Sequence, residues 1–341
     1  MNIYIDKQNL LSIIHSAQSE TFSDCMRMLK NNFCMFFTFA KEDILQLDSL
    51  EKQDAMQWLT RMTSGVNASN HDNVKWGSLF PPRPLDVDSF KGEQLTAVYC
   101  LSKESDPKLE AHAKKGNLLI ACEGQEITIL SSLYFDSLQY TKNIFPKISS
   151  WEDLKEYVSP CTDIIIADRF IFSNPELYQK NIYSLIRALC SKVKNSHINI
   201  VVFTLKSNYN KLTSTEFEPD WKTIYSKIHH CAEKHSSVNV TFVTASKQTL
   251  KEHDRTIFTN YKYFSSGDSY NYFDSNDAKI TNGRNLHAHS HAETDNESDA
   301  KKFLEDMQKI IDSIKSKNNL SLIMKDKICN FLNFPQSTPL D

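Results

Sequence analysis

The chain has 341 residues, 40% of them hydrophobic and 24% charged, with a formal net charge of -3. That length supports two ordinary hydrophobic cores. The near-neutral balance excludes a global basic field of the kind that drives nonspecific nucleic-acid binding, but leaves room for a local basic cleft. Eight cysteines occur with no CxxC pair and no short zinc spacing; those inside apolar runs, such as Cys34 and Cys122, read as small buried hydrophobes. The opening residues lack the charged and then apolar regions of a signal peptide, and no run approaches the roughly 18 apolar residues of a spanning helix. The expectation is a cytoplasmic protein without a membrane-spanning segment, and its low glycine and high Asn, Lys and Ile content fits an AT-rich bacterial genome.

In chain order, residues 2–5 alternate into a strand, and residues 9–17 carry Leu10, Leu11, Ile13 and Ile14 at helical spacing. Asp6 between them reads as a helix N-cap. Residues 21–31 read as an amphipathic helix, 33–39 (FCMFFTF) as a buried strand, and 41–62 as a second helix. Pro81, Pro82 and Pro84 make residues 63–87 a long loop, in which Arg83 is placed to meet a partner or substrate. Strands are expected at 95–101, 118–122 and 127–130. The apolar pattern breaks near residues 146–151, where Ser149 caps a new helix. This divides the chain into an N-terminal α/β domain of unassigned role at 1–148 and a second domain at 149–341.

The second half alternates strands at 163–167, 198–205 and 238–243 with helices at 175–193 and 220–234. Near-continuous apolar strands joined by helices imply parallel crossovers and a sheet covered on both faces. The fold class is therefore α/β, with the second domain a mixed or parallel sheet flanked by helices. Two short strands follow, then a polar irregular stretch at 272–298, a helix at 299–315 and a further short helix within 319–332.

Within those two short strands, His253, Arg255, Asn260, Gly267 and Asn271 stand at fixed intervals. The spacing His-x-Arg-(four residues)-Asn-(six residues)-Gly-x-x-x-Asn resembles the signature of the phospholipase D superfamily, His-x-Lys-(four)-Asp-(six)-Gly-Ser-x-x-Asn. Arg255 stands where the family has Lys, Asn260 where it has Asp, and Asp268 where it has Ser. The resemblance implies a phospholipase D-like domain in which His253 attacks phosphorus, without metal or other cofactor. It makes Arg255, Gly267, Ser269 and Asn271 the phosphate-binding set, and Arg255, Asn271 and Asn260, the last in the position of the motif acid, catalytic beside His253. One copy of the motif is present, so the resemblance implies a homodimer that supplies the second histidine, or a partner protein. Asp168-Arg169 reads as a worn remnant of a first copy, without its histidine. The implied ligand is nucleic acid or another phosphodiester, and a nuclease or phosphodiesterase fused to a second domain is similar to effectors and accessories of bacterial defence systems. The His-Asp-Arg variant also resembles the phospholipase D-like modules of the MIT-domain family, which bind membranes and partners without hydrolysis.

Two other readings stand beside this one. In the first, the same fold serves as a catalytically inactive binding or scaffold module, with His253 structural. In the second, the stretch IYIDKQNL resembles the start of PIN-like and NYN nucleases, where an aspartate at a strand end binds a divalent metal. Lys7 here occupies a position where those families carry Gly. His287, His289 and His291 would share one face of a strand at about 7 Å per step, but three ligands from one straight strand do not converge on one ion. The aromatics crowding the motif, Tyr261, Tyr263, Phe264, Tyr270, Tyr272 and Phe273, have the chemistry to stack bases, and a pleated sheet favours them in any case.

Overall fold

The computed structural model describes residues 1–64, 73–78, 90, 92–104, 108–109, 117–194, 197–210, 215–232, 237–250, 255–274, 276–280, 284–316 and 322–335. Arg83 and His253 lie outside the described residues. The chain is mixed α/β and divides into two compact units, Met1–Tyr140 with Ser290–Glu297, and Thr141–His289 with Ser298–Asp341. The division precedes the expected cap at Ser149, because residues 141–143 form a strand that pairs within the second unit's sheet.

In the first unit, β1 (Asn2–Ile5), β2 (Cys34–Phe37), β3 (Val74–Lys75), β4 (Val98–Cys100) and β5 (Leu119–Ala121) form one sheet in the order β3-β2-β1-β4-β5. Every adjacent pair is parallel. Helices α1 (Lys7–His15), α2 (Phe22–Asn32), α3 (Ser49–Thr63) and α4 (Glu126–Ser131) accompany it. Two expectations are corrected here. Residues 41–62 are not one helix: Asp48, with extended backbone, accepts from the amides of Leu50 and Glu51 and starts α3 afresh after a 3-10 turn at Lys41–Gln46. Residues 127–130 are helical rather than a strand, because Gly124 turns the chain at φ +82° and the short apolar run buries Ile127 and Leu130 one helical turn apart. A run that short fits either period.

The second unit is built on an eight-stranded sheet. Its strands are β6 (Thr141–Asn143), β7 (Asp163–Ala167), β8 (Ile198–Leu205), β11 (Val238–Ala245), β12 (Arg255–Thr259), β13 (Lys262–Ser266), β14 (His287–Ser290) and β15 (Leu322–Lys325). A separate two-stranded ribbon, β9 (Asn208–Asn210) with β10 (Thr215–Phe217), follows β8. The sheet order is β15-β11-β8-β7-β12-β13-β14-β6. β7, β8 and β11 are parallel, joined by α5 (Pro175–Leu189) and α6 (Trp221–Ala232), whereas β12 and β15 run antiparallel to their neighbours. Strand alternation sends Ile165, Ala167, Val201, Phe203, Val243 and Ala245 to one core with Met307, Ile310 and Ile311 of α7 (Thr294–Ser316). Toward the opposite side, Phe172, Trp221 and Phe242 meet edge to face or tilted. The segment expected as a short helix at 319–332 instead contributes β15, because β11 offers it an open edge. Likewise, the stretch 272–298 holds β14 and the first turn of α7 rather than being irregular throughout.

The amino-terminal end of β7 is tied by a polar cluster. Asp163, fully buried, accepts from Asn199 Nδ2 (2.9 Å), Thr162 Oγ1 (2.7 Å), and both the amide and Nδ2 of Asn330 (2.8 and 2.9 Å).

Lys262 starts β13 with 4% of its surface exposed, and burial, then the neighbouring Lys192, lowers its pKa to about 7. From about pH 7 to the unfolded lysine value of about 10.4, the unfolded chain holds a proton here that the folded chain lacks, so this residue makes stability rise with pH. Lys262→Met is expected to exceed wild type in stability at pH 7 by on the order of 2 kcal/mol, with the excess shrinking as pH rises to 10. Urea midpoints of the two proteins at pH 7, 8.5 and 10 check this; a constant difference would show that burial of the charge is not what Lys262 contributes.

Candidate functional site

In the second unit, the path β7, α5, β8, α6, β11 steps steadily to one side of β7, and the chain then returns to lay β12 on the other. The order therefore reverses between β7 and β12. Sites in open α/β sheets form outside the carboxyl ends of strands at such a reversal. Here Ala167 pairs with Thr256, so the residues that follow β7 face those that open β12.

Asp168 follows β7 and is 1% exposed. Its Oδ2 accepts from Ser269 Oγ (2.7 Å) and the Tyr270 amide (2.9 Å), and its Oδ1 accepts from the Phe170 amide (2.9 Å). Burial raises its pKa, and these three donors together with the Arg255 charge oppose the rise. Asn271 latches the same two loops from the other direction: its Nδ2 donates to the Phe170 and Ile171 carbonyls and to Ser269 Oγ. The carboxyl and the carboxamide thus fix the β7 loop against residues 269–271.

Two arginines meet over one ring in this frame. The guanidinium carbons of Arg169 and Arg255 lie 5.3 and 5.8 Å from the Phe170 ring centroid. Arg255 anchors one end by donating from Nη1 to the Gly267 carbonyl (2.6 Å), and Tyr270 Oη donates to the Arg255 carbonyl (2.9 Å). The Nε atoms of both arginines, and Oδ1 of Asn271, are buried without a hydrogen-bond partner among the described residues. Buried donors are paired in most native structures, so orphans gathered at one strand end call for a ligand or water. Arg284 adds a third cation, donating to the Ser269 carbonyl (2.6 Å).

Of the residues singled out by spacing, the structure brings Arg255, Gly267, Ser269 and Asn271 together. Gly267 and Ser269 act on the frame: the Gly267 amide donates to Asn285 Oδ1 (2.7 Å), whose closeness leaves little room for a side chain, and the Ser269 hydroxyl donates to Asp168. Asn260 is a correction. It ends β12 at the opposite edge of the sheet, about 17 Å along the strand from Arg255, where its Oδ1 accepts from the amides of Thr162 and Asp163 (2.9 and 3.3 Å). A strand of five residues cannot bring both its ends to one ligand. Phe170 and Arg284 escaped the sequence reading because no motif position marks them; the signal was the Asp-Arg-Phe run directly after a buried strand. His289 is held between Thr141 Oγ1 (3.1 Å) and Ser265 Oγ (2.9 Å) and stacks on Tyr263 at 4.2 Å. Both of its ring nitrogens are thus engaged.

The first unit has its own reversal, between β1 and β4. Asp6 stands there and caps α1, its Oδ1 accepting from the Asn9 amide and Nδ2 (2.9 and 2.8 Å) and its Oδ2 from the Ser102 amide (2.6 Å). Glu126, fully buried, accepts from Ser12 Oγ (3.1 Å), and burial raises its pKa. Among the described residues no group of three His, Cys, Asp or Glu side chains is set to hold an ion. Asp6 is thus engaged as the N-cap of α1.

No helix among the described residues is long and apolar enough to cross a membrane. Compared with known proteins, the chain matches no family model, and no match is found among curated proteins.

Proposed function

We propose that the second unit is a phospholipase D-like domain that recognises a phosphodiester-bearing ligand at the carboxyl edge of β7. The observation that carries this reading is the pair Arg169 and Arg255, converging on Phe170 with both Nε donors buried and without a partner among the described residues. Guanidinium groups stay charged and present a planar fork that matches two phosphoryl oxygens. A single anchored Nη1 fixes the plane of Arg255 while its other donors remain for the ligand. Desolvated arginines beside a ring lose less to water on binding an anion than exposed lysines do.

On this reading His253, two residues before Arg255, is the nucleophile. Its imidazole lone pair attacks phosphorus and the P–O bond to the leaving alkoxide breaks, while the imidazolium of a second copy in a homodimer protonates that oxygen. Water then releases the phosphoryl group from His253. An inactive descendant keeps the arginines and loses only this step.

The test separates recognition from cleavage. Labelled single- and double-stranded DNA, RNA and a bis-phosphate ester are titrated in EDTA against wild type, Arg169→Ala, Arg255→Ala and His253→Ala, with mass determined by light scattering. Each arginine variant is expected to weaken binding at least tenfold, a loss of about 1.4 kcal/mol or more. His253→Ala is expected to bind as wild type does and to cleave nothing. Wild-type affinity in a folded Arg169→Ala/Arg255→Ala protein overturns the reading.

A further inference from the structure

Helices α5 and α6 are successive crossovers between the parallel strands β7, β8 and β11, and they pack side by side. Between them opens a cavity of about 500 Å³, in the range of small-molecule sites. Gln179, Tyr183 and Arg187 reach it from one stripe of α5, at four-residue spacing, and Ser226 and Lys227 reach it from α6. A stripe where two helices meet is ordinarily apolar. Here Gln179, Arg187, Ser226 and Lys227 line the exposed rim, and Tyr183 is buried beside them.

Three features point to an anion. No carboxylate lines the cavity. Arg187 and Lys227 have no ion pair with any described residue, and the Lys227 ammonium rests 5.5 Å from the centroid of the Tyr183 ring. Tyr183 itself is 8% exposed, and its hydroxyl has no hydrogen-bond partner among the described residues. A basic residue in the last turn of α5 complements the helix dipole, which accounts for Arg187 alone. It does not account for a buried phenol with no partner among the described residues, an arrangement that is costly in a folded protein.

We propose that this groove is a second ligand site, taking a phosphate-bearing small molecule whose oxyanion accepts from Tyr183 Oη, Arg187 and Lys227. Two cations, Arg187 and Lys227, match the charge of about -1.5 to -2 on a phosphoryl group better than the single charge of a carboxylate. The site uses none of the residues at the carboxyl edge of β7, so it stands or falls independently of that one.

Pyrophosphate is the probe. Isothermal titration in the Arg169→Ala/Arg255→Ala background, which removes the other arginine pair, is expected to show binding that Arg187→Ala/Lys227→Ala weakens at least tenfold. Tyr183→Phe, which deletes only the hydroxyl, is expected to weaken it severalfold while leaving the fold intact. Amide shifts of wild-type protein are expected to move on α5 and α6, which localises the site without any substitution. Unchanged affinity in either groove variant, or wild-type shifts that spare both helices, overturns the proposal.

Discussion

Asp163→Ala is expected to cost about 3–5 kcal/mol of folding free energy, the range for stripping a buried acceptor from several donors at once. The carboxyl group accepts four hydrogen bonds at 2.7–2.9 Å, from the strand beside it, from the residue before it, and twice from Asn330. Alanine leaves all four donors without their acceptor, with the side chain's own volume missing as well. Asn330 lies in the segment that carries Phe331 and Leu332 to the core shared with α7, so losing the tie also loosens that packing. Urea unfolding combined with amide exchange on β7 and β8 reads the effect. The midpoint falls and protection at the amino-terminal ends of these strands drops first. Asn199→Ala removes one donor and keeps the acceptor's other partners, so it is expected to cost about 1 kcal/mol. Equal effects from the two substitutions would mean that the carboxyl is not the hub.

Much of the second unit was legible because its strands are buried on both faces. DIIIA and INIVVFTL have no polar residue facing solvent to blur their ends, and both were bounded to the residue. The failures came where local pattern carries less information. ITIL has the composition of a strand, but its turn at Gly124 and the packing of Glu126, Ile127 and Leu130 make it a helix. β14 and β15 form by adding to existing edges, and a segment's suitability as an edge partner depends on the strand it meets. At the candidate site, Arg255 and Asn271 were visible through spacing. Arg169 and Phe170 gain their meaning only from the reversal between β7 and β12, which places two sequence-distant loops against each other. Spacing also grouped Asn260 with Arg255, although a strand separates them in space.

That separation gives the second large effect. Asn260→Ala is expected to cost about 3 kcal/mol of stability and to leave ligand affinity within twofold of wild type. Asn260 is fully buried; its Oδ1 takes the amides of Thr162 and Asp163, and its Nδ2 donates to Thr162 Oγ1 (2.9 Å). The residue therefore joins the turn after β12 to the start of β7, and removing it takes the side-chain acceptor away from two backbone donors. Arg255, at the other end of the same strand, is expected to show the reverse pattern: weakened binding with a small change in stability, since its side chain makes one anchored hydrogen bond to the frame. Measuring both variants for urea midpoint and phosphodiester affinity sets the two roles apart. If Asn260→Ala lost affinity as Arg255→Ala does while keeping its midpoint, the sheet could not be transmitting a purely structural role, and the motif's spacing would describe one site after all. The opposed pattern would assign the motif's two ends to different tasks, one that binds and one that ties the fold on which binding depends.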